Sequence, residues 1–293
     1  MPLEILELGK QFRPATSVVY PPFKNGRYME EYFYDYVMAN KDKIDSTRVY
    51  IPAFWTNIQI HPNFGNTKES YNIFLKRAYS HLPEDTKYFT IVQGDLGVEL
   101  ALPKDTLVFG ACYGDIPLPL IYEDNTNRLL NVSRQPVRNT LASFVGTYTT
   151  HSLRTKMFTL LGRKPNFKFV AKGDWTNNIS GNLAEAFIQT TLTSKFCLAP
   201  RGFGRSSFRF FEAMLLDTIP VYFWDDIEWL PYKDVLDYSK FAVSIHDKDI
   251  SRTGEILKSI TNEKYLSMLE EIRRVRHYFT LEGMSEYIVM RIK

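Results

Sequence analysis

The sequence predicts an α/β protein built of two Rossmann-like, doubly wound domains that face each other across a cleft. Three observations predict it. Short β-rich runs alternate strictly with helical patterns, which implies parallel sheets with helices on both faces. The alternation breaks once, over residues 125–139, a polar stretch that carries Pro136 and has neither a strand nor a helix pattern. The length of 293 residues, 44% hydrophobic and 24% charged, suits two soluble domains of ordinary size.

The elements follow in order. Residues 28–44 read as a helix and 47–54 (TRVYIPAF) as a strand. Residues 66–82 are helical, with Leu75 and Tyr79 on one face. Two strands come next, 87–93 (KYFTIVQ) and 106–112 (TLVFGAC), and Gly94 and Gly97 bracket the loop after the first. The domain boundary is placed between 135 and 136, so the domains are 1–135 and 136–293, with room for the last helix to pack back on the first domain. The pattern then restarts with strand 141–146 and helix 152–161, closed by Gly162. Strand 167–171, helix 183–190, strand 193–199 and helix 206–217 follow. Strands at 218–223 and 241–245 and a helical remainder from Arg252 complete the chain.

Composition excludes several classes. The net charge of +3 is small and the basic residues are spread out, which speaks against nucleic acid. Cys112 and Cys197 lie in apolar runs and read as reduced, buried thiols without metal-ligand spacing. The start, MPLEILELGK, lacks the basic and apolar regions of a signal peptide. No apolar run approaches the roughly 18–20 residues that span a bilayer. The sequons at Asn131 and Asn178 read as chance. The chain is therefore expected to be cytoplasmic.

The segment 194–226, SKFCLAPRGFGRSSFRFFEAMLLDTIPVYFWDD, reads strand, Gly-rich loop, helix, strand. In open α/β sheets such loops lie beyond the carboxyl ends of strands, where ligands bind. Gly202 and Gly204 let backbone approach a ligand closely. Ser206 and Ser207 stand at the helix start, where free N–H groups and the dipole favour an anion. Arg201 and Arg205 flank the turn and can fork onto phosphate oxygens. The alternative is a solvated turn with an N-cap serine. Glu212 sits within an otherwise apolar helix and needs donors. Either the two hydroxyls of a ribose or an internal cation such as Arg209 would supply them.

This segment resembles the signature of the exostosin-like glycosyltransferases in its Arg-Gly loop, its Ser-Phe-Arg, its Glu and its Ile-Pro-Val strand. Weaker likeness runs through FVGTYTTHSLRTKMF, FTIVQGD and the Ile-Pro-Leu-Pro-Leu run at 116–120. The resemblance implies a GT-B architecture and inverting transfer of a sugar, such as xylose, galactose or glucuronate, from a UDP-sugar to a glycan or glycoprotein hydroxyl. No cofactor or metal would be required. By the same resemblance Glu212 binds the ribose, and Arg205, Ser206 and Ser207 lie by the diphosphate.

A second donor loop fits that picture. Gly146 ends the first strand of the second domain, and Arg154 stands in the first turn of the next helix, as in βα turns that contact phosphate. Alone, Arg154 reads as an ordinary exposed helix arginine; with the family it is a candidate to neutralise the leaving diphosphate. Inverting transfer needs a base for the acceptor hydroxyl. Asp95, on the loop after strand 87–93, is the candidate, and His61 in IHPNFG is its rival. The alternative for Asp95 is an Asp that makes its own turn. Trp55 could stack an acceptor sugar or fill the core. Two readings compete with the whole: a metal-dependent GT-A transferase that uses Asp247 and Asp249 of FAVSIHDKDI, and a non-catalytic nucleotide- or glycan-binding module on the same fold.

Overall fold

The structure, a computed structural model, describes residues 1–16, 26–133, 137–174, 176 and 180–293. It divides into two compact units, the first of residues 1–123 with 280–293 and the second of residues 124–279. The boundary expected between 135 and 136 and the sequon at Asn178 fall outside the described residues.

In unit 1, helix α1 (Met29–Asn40) precedes strand β1 (Val49–Tyr50). Helices α2 (Trp55–Gln59) and α3 (Phe64–Tyr79) lead to β2 (Tyr88–Val92), β3 (Thr106–Gly110) and β4 (Ile116–Pro117). The four strands are parallel and stand in sequence order. Among the described residues this sheet keeps the sequence order of its strands, and it is covered on both faces. Phe33 of α1 packs edge-on against the stacked rings of Tyr50 and Phe89. Leu75 of α3 joins the core made with Val49, Tyr88 and Val92, which point the other way. Every residue of β2 is buried, as a central parallel strand requires.

β1 is shorter than the expected 47–54 for a local reason. The Ile51 N–H still donates to the Phe89 carbonyl at 2.9 Å. Pro52 then has no N–H to give, and Ala53 turns back onto the Ile51 carbonyl. The chain turns into the short helix α2, which the sequence pattern did not suggest. At the far end of the chain, α9 (Leu281–Arg291) packs on α1. The Ile292 carbonyl accepts from the Thr47 N–H at 3.0 Å and from the Ser46 hydroxyl at 3.1 Å.

In unit 2, β5 (Thr140–Thr147), α4 (Ser152–Leu161), β6 (Phe167–Lys172), α5 (Gly181–Leu192) and β7 (Ser194–Pro200) come first. α6 (Phe208–Leu215), β8 (Ile219–Trp224), β9 (Val243–His246), α7 (Thr253–Ser259) and α8 (Asn262–Val275) follow. The parallel strands stand in the order β6-β5-β7-β8-β9. Winding therefore reverses between β5 and β7, the switch point at which doubly wound sheets bind ligands beyond the strands' carboxyl ends. Phe144, Phe196, Leu198, Val221 and Phe223, all but inaccessible to solvent, fill the centre.

α6 stops before the expected residue 217. Asp217 takes a left-handed conformation, φ 50°, and Thr218 N–H returns to the Ala213 carbonyl at 2.9 Å. Arg273 and Arg276 of the following helical region hold the Asp217 carboxylate. The expected α/β class is what the chain has, as two Rossmann-like parallel sheets, the elements of a GT-B architecture.

Candidate functional site

The carboxyl ends of β5 and β7 are joined by Arg154, from the first turn of α4. Its guanidinium donates to the carbonyls of Thr147 at 3.0 Å, Pro200 at 3.1 Å and Arg201 at 2.8 Å. One cation thus collects three carbonyls that leave two adjacent strands. Gly202 makes room for it, since a Cβ there would lie 3.3 Å from Arg154 Nη2. The guanidinium of Arg154 is thus anchored on backbone carbonyls at the switch point. Gly146 is the penultimate residue of β5, half-buried, with the Phe144 ring 3.2 Å from where a Cβ would stand.

The turn from Pro200 to Ser207 lies next. The Gly202 N–H donates to the Ser206 carbonyl at 3.2 Å and closes the turn. Ser206 and Ser207 are buried, and Ser207 is the N-cap of α6. The Ser207 hydroxyl does not cap the helix and has no hydrogen-bond partner among the described residues. A buried hydroxyl left over at a helix N-terminus is a spare polar group in a place that already favours anions.

Arg201 and Arg205, which flank this turn, both pair with the acidic residues that follow β8. Arg201 Nη1 pairs with Asp225 and Asp226, each at 2.8 Å, and its Nη2 donates to the Phe203 carbonyl at 3.3 Å. Arg205 Nε reaches Asp226 at 2.7 Å, and its guanidinium lies 5.6 Å from the Trp229 ring centre. Burial works to raise the Asp226 carboxyl, but hydrogen bonds from Arg205 and the Ile227 N–H, with the Arg201 charge, outweigh it and hold it below the ordinary range. Asp225 and Asp226 are the residues that sequence reasoning missed. The signal was present, an acidic pair directly after the apolar strand β8, but nothing in the sequence connects it to arginines more than twenty residues earlier.

Glu212 is buried and paired with Arg209 one turn away on α6. Arg209 also donates to the Val145 carbonyl at 2.8 Å and stacks on Phe187 at 3.9 Å. The internal cation considered for Glu212 is therefore present.

Beyond Asp225 the charged groups continue. His151, the N-cap of α4, has Nε2 3.7 Å from Asp225. Burial and the nearby Arg201 and Arg154 charges lower its pKa, against the pull of Asp225. Asp247 pairs with Lys156 at 3.0 Å and with His246, and the Lys156 bond holds its carboxyl below the usual range. Asp249 faces Arg252 at 3.4 Å. Each of the two aspartates proposed as metal ligands therefore faces a cation of its own. Burial pushes the Cys197 thiol up to about 12, which leaves it inert at neutral pH.

In unit 1, Asp95 is exposed on the loop after β2. The Cys112 thiol donates to its carboxylate at 3.7 Å. Gln59 holds the same loop with both ends of its amide, donating to the Gly97 carbonyl at 2.8 Å and accepting from the Glu99 N–H at 2.9 Å. Gly97 has φ 72°, a conformation that glycine takes without strain. The fully buried Glu30 accepts from the N–H groups of Thr56 and Gln93 at 3.1 and 3.2 Å and from the Thr56 hydroxyl at 2.5 Å. His61 is exposed, and its Nδ1 accepts from the Asn63 N–H at 3.1 Å. Trp55 is a correction: it is fully buried and its indole N–H donates to Thr90 at 2.7 Å, so it offers no stacking surface.

A probable glycosyltransferase of Arabidopsis thaliana is 40% identical over 89 residues, 30% of this chain and 18% of that protein. The exostosin-1 homolog of Caenorhabditis elegans is 32% identical over 99 residues, 33% of this chain and 25% of that protein. The matches thus span a quarter or less of these relatives' own length. Two solved structures are similar at 10% identity. WaaG, a glycosyltransferase involved in lipopolysaccharide biosynthesis, has a TM-score of 0.42 over 90% of this chain and 95% of that one. TarM has a TM-score of 0.37 over 73% and 56%. The Exostosin GT47 domain matches residues 113–260, just over half of the 293. That stretch contains Arg154, the turn from Pro200 to Ser207, α6 and the Asp225–Asp226 pair, and the chain belongs to the Exostosin GT47 family.

Proposed function

We propose that this chain is a glycosyltransferase that moves a sugar from a UDP-sugar to a hydroxyl of a glycan or glycoprotein, with inversion and without a metal ion. The observation that carries the reading is the start of α6. It lies at the switch point of unit 2, behind a closed turn, with the buried Ser207 hydroxyl unpartnered among the described residues. Backbone N–H groups of that first turn, Ser206, Ser207 and Arg205 receive the diphosphate. Gly146, Gly202 and Arg201 shape the approach, and Arg154 fixes the two strand ends behind it. Glu212 offers a carboxylate oxygen to the ribose from its pair with Arg209.

In the reaction the acceptor oxygen bonds to the anomeric carbon as the bond to UDP breaks, and the acceptor proton passes to a base. Asp95 is proposed as that base, with His61 as the rival. Family membership supports transferase chemistry; the nature of the donor and the stereochemistry are this proposal's own.

Calorimetric titration of UDP in chelator, repeated with manganese, tests the donor site. Binding in chelator is expected, and binding that appears only with manganese overturns metal independence and returns attention to Asp247 and Asp249. For the base, Asp95→Asn is expected to keep UDP affinity and to slow transfer by about 10²–10⁴ on an acceptor panel. Full turnover of Asp95→Asn beside an inactive His61→Ala moves the role to His61.

A further inference from the structure

Asp226 spans the two arginines of the turn from Pro200 to Ser207. One carboxylate oxygen lies 2.8 Å from Arg201 Nη1 and the other 2.7 Å from Arg205 Nε. With Asp225 on Arg201 as well, two guanidinium charges are matched by two carboxylates. The four side chains are graded in exposure: Arg201 6%, Arg205 17%, Asp225 28% and Asp226 40%. Asp226 is thus the outermost, the member a solute meets first. A carboxylate that gives one oxygen to each of two arginines makes the contacts that a phosphoryl group makes with two of its oxygens.

We propose that Asp226 is an intramolecular counter-ion that the donor's diphosphate displaces. Phosphate oxygens take over its place on Arg205 and Arg201, and the carboxylate returns as UDP departs. This rests on the donor-site reading above. Donor affinity is then a difference between two charged partners for the same cations. The arrangement keeps the buried Arg201 charge compensated when no donor is present, which matters because an uncompensated buried charge is costly. It also opposes retention of UDP, whose release can limit turnover.

The test is Asp226→Asn, which keeps the shape and one acceptor but removes the competing charge. Calorimetry with UDP is expected to show binding tighter on the order of tenfold than in the wild type, the net loss of a charge-assisted contact in the unliganded state. The KM for the donor falls and UDP becomes a stronger product inhibitor. Unchanged or weaker UDP binding in a folded Asp226→Asn makes Asp226 a fixed part of the scaffold and overturns the proposal, while the donor site stands. Should the asparagine variant not fold, Asp226→Ser is read by the same criterion. UDP binding to neither variant nor wild type removes this proposal together with the donor-site reading.

Discussion

Glu30 of α1 lies fully buried in unit 1 and meets three donors, the N–H and hydroxyl of Thr56 in α2 and the N–H of Gln93 just after β2. Burial raises its pKa, and the hydrogen bonds from Thr56 and Gln93 oppose that only in part. The sign for stability follows. Below the unfolded value, near 4.5, both states are protonated and nothing is lost. As the pH rises from there the unfolded chain ionises while the folded one resists, so stability falls until the folded value is passed. Glu30→Gln cannot ionise. Its melting temperature relative to the wild type is therefore expected to climb between pH 4.5 and 8, and a constant difference refutes the assignment. Glu30→Ala instead strands the Thr56 and Gln93 donors, at about 1–3 kcal/mol each. Single residues were legible where their chemistry is local. Ser207 at a helix start and Gly202 in a tight turn could be read from their neighbours. Trp55 could not, because its indole N–H is met by Thr90 of β2, far away in sequence. Arg201 could not either, because a guanidinium fork suits phosphate and carboxylate alike and the sequence does not show which is near.

At the scale of elements, α4, β5 and β7 act together through Arg154. Gly202→Ala brings a methyl group to 3.3 Å from Arg154 Nη2, so the guanidinium or the turn has to shift. Both Gly202→Ala and Arg154→Lys are expected to lower stability to denaturant and to weaken UDP binding. In the double mutant the losses should fall short of additive, with a coupling of about 0.5–3 kcal/mol, since each variant disturbs one contact. Strict additivity in urea unfolding argues that Arg154 does not act through the turn. The elements of unit 2 were the most legible. The expected helix 152–161 coincides with α4, and its strands fall within a residue or two of their places because they are continuous apolar runs bounded by turn residues. The misses have local causes that period-counting does not weigh: Pro52 ends β1 early, α2 is too short to show a helical period, and Asp217 ends α6 through its left-handed backbone.

At the scale of the molecule, the first stretch of unit 1 ends at Glu123. Glu123 is held to unit 1 by Arg27, which gives it a backbone N–H at 2.9 Å and a guanidinium contact at 2.6 Å. That ion pair joins residues far apart in sequence, so composition could not reveal it. Unit 1 is completed by α9, which lies on α1 and receives Thr47 and Ser46 on its last turn. Ending the chain at Phe279 is therefore expected to raise amide exchange across α1 and β1 while that of β5, β7 and β8 stays near the full-length values. Equal protection of α1 in both chains speaks against this.

The return of α9 also orders events during synthesis. Residues 1–123 of unit 1 leave the ribosome before unit 2, yet its last helix leaves only after the whole of 124–279 has been made. Unit 2 has every one of its strands in hand before α9 exists. Domains generally fold as units while the chain grows, so here the unit begun first is finished second. Over that interval the face of α1 that α9 covers in the finished unit has no such cover.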